Sequence, residues 1–291
     1  MTLPMSKSDG PGRMPGWPDV CALARHAESV GLDSVWICDH LMSEPAGHPP
    51  EGVLEAWTIL SALAASTRRV TVGTLVTCSS FRHPALLAKM AATVDGISGG
   101  RLVLGLGAGF PGLEYEAYGF PDDHRLARFE ETLAMVGGLL HGAVVTTSGR
   151  FHKLRQASLL PLPDRRIPLL VAGGSPRLLR LAARHAQAWN TAWHGAPDDR
   201  LRARLAAMAR ALADEGREVG SLRVTVGVSV TDPDHRGVHE DDGAFAGSPD
   251  DLAHIIDEYA MLGVDELIVA LAPRTERSVD RLVRALTLRT T

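Results

Sequence analysis

Short runs of apolar residues alternate with longer amphipathic segments along almost the whole chain. Seven runs read as strands: 33–39 (DSVWICD), 70–77 (VTVGTLVT), 102–106, 168–172, 188–193, 223–230 and 266–271. Most are apolar on both faces, as parallel strands covered on both sides must be. Between them, apolar positions recur at helical spacing over 19–30, 54–66, 84–97, 123–140, 176–186, 198–215, 249–262 and 275–288. In the first of these Val20, Leu23, Ala24, Ala27 and Val30 share one face, and Gly31 supplies a stop. Pro84, Pro176 and Pro249 fall where a first-turn proline loses no hydrogen bond, and Ser248 precedes an acidic first turn, Asp250–Asp251.

This alternation predicts an α/β fold, a (β/α)8 TIM barrel spanning 1–291 as a single domain. Two features deviate. Only Thr2-Leu3-Pro4 precedes a Gly/Pro-rich stretch, so the first strand is nearly missing. Residues 142–168 form an insertion after the fourth strand–helix unit, predicted to be a hairpin around Ser148-Gly149 with a proline-rich return. A doubly wound open sheet with fewer strands is the alternative architecture.

Composition narrows the function classes. The 291 residues carry a formal net charge of −4, which removes the electrostatic case for binding nucleic acid or an anionic membrane. No apolar run approaches the roughly 18–20 residues that span a bilayer, and 1–18 lacks an apolar stretch of signal-peptide length. The expectation is a cytoplasmic protein acting on a small molecule. Cys21, Cys38 and Cys78 show no C-x-x-C spacing and read as small buried thiols. All but three of the 30 basic residues are arginine, a hint of a GC-rich source.

In a barrel the chemistry sits on the loops after the strands. That rule selects Cys38-Asp39-His40, Thr77-Cys78-Ser79-Ser80, Gly107-Ala108-Gly109-Phe110, Gly173-Gly174-Ser175 and Trp193-His194. His40 is the candidate acid–base group, since imidazole exchanges a proton readily near neutral pH, with Asp39 beside it to orient it. Gly173-Gly174-Ser175 closes a strand and opens a helix, where free N–H groups and the helix dipole favour a phosphate; a bare capped turn is the alternative. Gly107 to Gly112 matches G-x-G-x-x-G, but no long helix follows at once, so small residues backing a flat ring fit better than a dinucleotide turn. His235 and His239, ahead of Glu240-Asp241-Asp242, read as a solvated loop with no helical frame for a metal.

Taken together, these segments resemble the luciferase-like flavin and deazaflavin oxidoreductases. The likeness runs from about Ala22 to Ala270 and is densest in LDSVWICDH (32–40), EAW (55–57), AASTR (64–68), GTLVTCSSFRHPA (73–85), AKMAATVDGISGGRLVLGLGAG (88–109) and PLLVAGG (168–174). The 77–85 run looks most like the branch using coenzyme F420, an 8-hydroxy-5-deazaflavin, and the arginine-rich composition fits an actinobacterial setting. The resemblance implies a barrel with a redox ring across the strand ends. It also implies a non-proline cis peptide within Leu75-Val76-Thr77-Cys78 and an acid–base role for His40 with Asp39 near the ring. By the same likeness Val76, Thr77, Cys78, Gly107, Ala108 and Gly109 lie at the ring or its side chain, and Gly173, Gly174 and Ser175 at the phosphate. The sugar-phosphate dehydrogenases of the family place a glutamate where this chain has Phe110. That difference argues against their activity and, with Trp193, for a more apolar substrate pocket. The implied reaction is hydride transfer between reduced F420 and a small organic acceptor, by C=N or C=C reduction, in secondary metabolism. The alternatives are an FMN-dependent monooxygenase of the same fold and a non-catalytic flavin-binding protein. A metal-dependent barrel hydrolase lacks convergent ligands at the strand ends. A homodimer, usual in the family, would use apolar faces of the second and third helices.

Overall fold

The computed structural model describes residues 1–10, 12–44, 49–234 and 243–289. Seven parallel strands lie in sequential order around one sheet: β1 (Ser34–Ile37), β2 (Thr71–Thr74), β3 (Leu102–Gly107), β4 (Leu169–Ala172), β5 (Ala188–His194), β6 (Arg223–Thr231) and β7 (Glu266–Ala272). The segment Thr77–Cys78 continues β2 beyond a break and pairs with β3. The short N-terminal run closes the ring. Thr2 N–H donates to Val269 O at 2.9 Å, Leu3 N–H to Trp36 O at 2.8 Å, and Trp36 N–H to Met1 O at 2.8 Å. Residues 1–3 thus stand between β7 and β1 as the eighth strand, and the expected barrel, rather than an open sheet, is the architecture.

Helices α1 (Trp17–Ser29), α2 (Ala56–Ser66), α3 (Pro84–Ser98), α4 (Arg125–Leu140), α5 (Pro176–His185), α6 (Asp199–Asp214), α7 (Pro249–Met261) and α8 (Glu276–Leu288) alternate with the strands. Ser175, Asp198, Ser248 and Thr275 cap the last four through side-chain oxygens that accept first-turn N–H groups. One apolar layer lies between strands and helices. A second, smaller cluster of Trp36, Leu170, Ala188 and Ile268 is contributed by four strands, as in a filled barrel interior. Gly73 has no side chain because Trp36 takes its place: a Cβ there would stand 2.5 Å from the indole ring.

The predicted insertion is present as an antiparallel hairpin, Val145–Ser148 with Lys153–Ala157. Glu131 on α4 fastens its tip by accepting the backbone N–H groups of Arg150, Phe151 and His152. Those bonds lower the Glu131 carboxyl below its ordinary value even though burial opposes them. No helix among the described residues is long and apolar enough to cross a membrane. On α3, Leu86 and Ile97 are exposed. The His235–Asp242 loop considered above lies outside the described residues.

Candidate active site

The carboxyl ends of the strands bring most of the expected residues to one mouth. Leu75–Val76 is a cis peptide, inside the segment where one was expected, and it sets the bulge between the two parts of β2. A second non-proline cis bond, Ala192–Trp193, interrupts β5 on the far side of the barrel. It was not foreseen.

Asp39 leaves β1 with its side chain fully buried. Its oxygens receive Arg82 Nη1 at 2.6 Å and Nη2 at 3.0 Å, and Oδ2 also accepts the Cys78 N–H at 2.9 Å. Arg82 reaches on to Glu55 at 2.5 Å. Burial raises the Asp39 carboxyl above its ordinary value, while Arg82 and the Cys78 amide pull the other way. This corrects the expectation that Asp39 orients His40. The carboxylate is committed to Arg82 and to the backbone of the bulge, and it makes no bond to the imidazole.

His40 is oriented by Glu114 instead. Glu114 Oε1 lies 2.9 Å from His40 Nδ1, and Oε2 accepts the Leu41 N–H at 2.9 Å. Glu114 belongs to a short helix, Leu113–Ala117, and is only 6% exposed, whereas the His40 side chain remains 43% exposed. The next residue, Tyr115, places its hydroxyl 3.1 Å from Cys78 Sγ and packs against Phe81. The contacts form a closed circuit: Asp39 to Cys78, Cys78 to Tyr115, Tyr115 by chain to Glu114, Glu114 to His40, and His40 by chain back to Asp39.

The glycines serve this circuit. Gly109 has φ +74°, and a Cβ there would fall on the Tyr115 hydroxyl and within 2.8 Å of Cys78 Sγ. A Cβ on Gly107 would stand 2.5 Å from Val76 Cγ2. At both positions the missing side chain makes room for protein, namely the bulge and Tyr115. Ala108 is half-buried beside them. Thr77 turns into the wall, its hydroxyl donating to Thr74 Oγ1 at 2.9 Å. Burial pushes the Cys78 thiol up and the Cys38 thiol up to about 12, so both are neutral thiols and neither is an activated nucleophile.

Across the mouth, Gly173 (φ +128°) and Gly174 lead into α5, and the Ser175 hydroxyl accepts the Leu178 N–H at 3.4 Å as its cap. A Cβ on Gly174 would meet the Arg204 guanidinium at 2.7 Å. Arg204 donates to Thr191 Oγ1 at 2.9 Å and has no carboxylate partner among the described residues. A helix N-terminus and a guanidinium without a counter-ion therefore flank the same turn, which suits a phosphate. The buried Ser79 hydroxyl, just past the bulge, has no partner among the described residues. The Trp193 ring lies against Gly227 and is 38% exposed; Phe110 is 79% exposed after β3. His194 is buried, which lowers its basicity.

Sequence reasoning missed Glu114, Tyr115, Arg82 and Arg204. Glu114 and Tyr115 stand five and six residues past Gly109, in a stretch too short to read as a helix; Arg204 lies mid-helix among other arginines and carries no local signal.

Comparison with known proteins bears on the family and the fold. The chain is 32% identical over 275 residues to an F420-dependent glucose-6-phosphate dehydrogenase of Beutenbergia cavernae, covering 91% of this chain and 79% of that one. It is 30% identical over 279 residues to a phthiodiolone/phenolphthiodiolone dimycocerosates ketoreductase of a Mycobacterium species, covering 79% and 73%. The fold superposes on an F420-dependent secondary alcohol dehydrogenase, solved in complex with an F420-acetone adduct, with a TM-score of 0.82 at 21% identity over 95% of this chain and 96% of that chain. The model of the luciferase-like monooxygenases matches residues 1–236, and the chain belongs to that family.

Proposed function

We propose that the protein is a coenzyme F420-dependent oxidoreductase that moves a hydride between reduced F420 and an apolar organic acceptor with a polar double bond, a carbonyl or imine. The observation that carries this reading is the half-exposed His40 held by a buried carboxylate at the rim of a mouth that also contains a phosphate-type cradle. Relatives near 30% identity, by their names, use F420, and one is a ketoreductase.

The cradle of Gly173, Gly174, Ser175 and Arg204 would hold the phosphate of F420, and the backbone around Val76, Cys78 and Ala108 would back its ring. When bound, reduced F420 supplies the hydride. The chain's own work is to fix the acceptor against that mouth and to hold a proton on His40 for the acceptor's oxygen or nitrogen. Phe110 and Trp193 offer exposed aromatic surface, which fits an acceptor with an apolar body.

The test is anaerobic oxidation of reduced F420 by a panel of apolar ketones and imines, with the opposite reaction, reduction of oxidised F420 by glucose 6-phosphate, run beside it, both followed by the absorbance of oxidised F420. Turnover with apolar ketones or imines and none with glucose 6-phosphate is expected. Failure of every acceptor to stimulate anaerobic oxidation, with oxidation seen only once dioxygen is admitted, would refute the proposal.

A further inference from the structure

We infer that Glu114 is a positioning residue that selects the tautomer and the aim of His40, leaving Nε2 as the ring nitrogen that exchanges the proton. The inference rests on the proposed role of His40, but its geometry is independent of any cofactor. An ionised carboxylate only accepts hydrogen bonds. With Glu114 Oε1 at 2.9 Å, Nδ1 must carry hydrogen in both the neutral and the charged ring. Nε2 makes no hydrogen bond to any described residue. It therefore holds the lone pair when His40 is neutral and the mobile proton when it is charged.

The other oxygen of Glu114 grips the Leu41 N–H, so one carboxylate fixes two consecutive residues of the loop after β1. Asp39 cannot substitute, since its oxygens are committed to Arg82 and Cys78. The short helix bearing Glu114 is itself anchored at two points. Leu113 N–H donates to Glu44 Oε2 at 3.0 Å, and Tyr115 is clamped between Cys78 and Phe81. In the reducing direction the Nε2–H bond breaks, its electron pair stays on nitrogen, and the proton goes to the acceptor's heteroatom. The exposure of the ring lets solvent restore that proton. This is the logic by which a buried carboxylate sets a catalytic histidine elsewhere, reached here from a residue 74 positions away in sequence.

Nitrogen NMR of protein labelled with 15N-histidine, without cofactor, tests the claim directly, the His40 signals being identified by their loss in His40→Gln. The wild type should show neutral His40 as the Nδ1–H tautomer. Glu114→Gln offers a single acceptor oxygen to two donors; it should shift the ring toward the Nε2–H tautomer and lower kcat about 10- to 100-fold, with the F420 Kd changed less than twofold. A wild-type ring found as the Nε2–H tautomer would overturn the inference whatever the variants do. So would unchanged kcat in Glu114→Gln while His40→Gln abolishes turnover, a result that leaves the proposed reaction standing. If His40→Gln itself turns over normally, the proton role of His40 fails, and the tautomer alone then decides whether Glu114 sets the ring.

Discussion

Replacing Asp39 by alanine separates an anchoring role from a chemical one. Asp39 accepts three hydrogen bonds with a fully buried side chain, two of them from a guanidinium that is only 10% exposed. Removing one partner of such a pair leaves a charge without compensation and costs about 3–5 kcal/mol. Arg82 keeps Glu55 at 2.5 Å, which places the loss at the lower end, and the Cys78 amide adds about 1 kcal/mol. The expected loss is about 3–4 kcal/mol, seen as a lower urea midpoint with an unchanged slope and a Tm drop of roughly 5–7 °C. A cycle with Arg82→Ala should show that the two losses are not additive, the double variant falling well short of their sum. A loss below about 1 kcal/mol, or strict additivity, would refute the claim that this pair pins the loop after β1 to the bulge.

Three further outcomes follow from the same contacts. Gly174→Asp puts a carboxylate against Arg204 at the strand-to-helix turn, neutralising the cradle, and should abolish F420 binding in a fluorescence titration while the fold persists by circular dichroism. The Glu131 carboxyl is lowered in the folded protein, so its anchorage is complete above the ordinary carboxylate range and is lost as pH falls through the lowered value. Amide exchange across Val145–Ala157, corrected for its intrinsic pH dependence, should therefore accelerate only as the pH falls below the ordinary carboxylate range, and Glu131→Gln should show the faster exchange already at pH 7. Gly109→Ala forces a methyl group onto the Tyr115 hydroxyl, and near-ultraviolet circular dichroism should report displacement of that ring; an unchanged spectrum would contradict the packing described.

The barrel was legible because buried parallel strands need apolar residues on both faces, and that leaves long unbroken runs such as 70–77. The eighth strand was faint because three residues suffice when two neighbouring strands supply the backbone partners. α4 starts at Arg125 rather than residue 123, since His124 adopts φ 50° and cannot extend the helix. At the mouth, His40 and the glycines stood out because strand ends concentrate chemistry. The pairing of Asp39 with His40 failed for a geometric reason. Both residues lie beyond the end of β1, where Arg82 and the Cys78 amide hold the Asp39 carboxylate in the wall while His40 stays half-exposed. The acid that reaches His40 comes from the loop after β3, a contact made by the fold and invisible to local pattern.

The most direct measurement is a side-by-side titration of the cofactor-free protein with F420 and FMN, followed by fluorescence quenching. Saturable, one-to-one binding of F420 is expected, at least tenfold tighter than FMN on the scale where about 1.4 kcal/mol is a factor of ten, and lost in Gly174→Asp. Preference for FMN, or binding of neither, would contradict it.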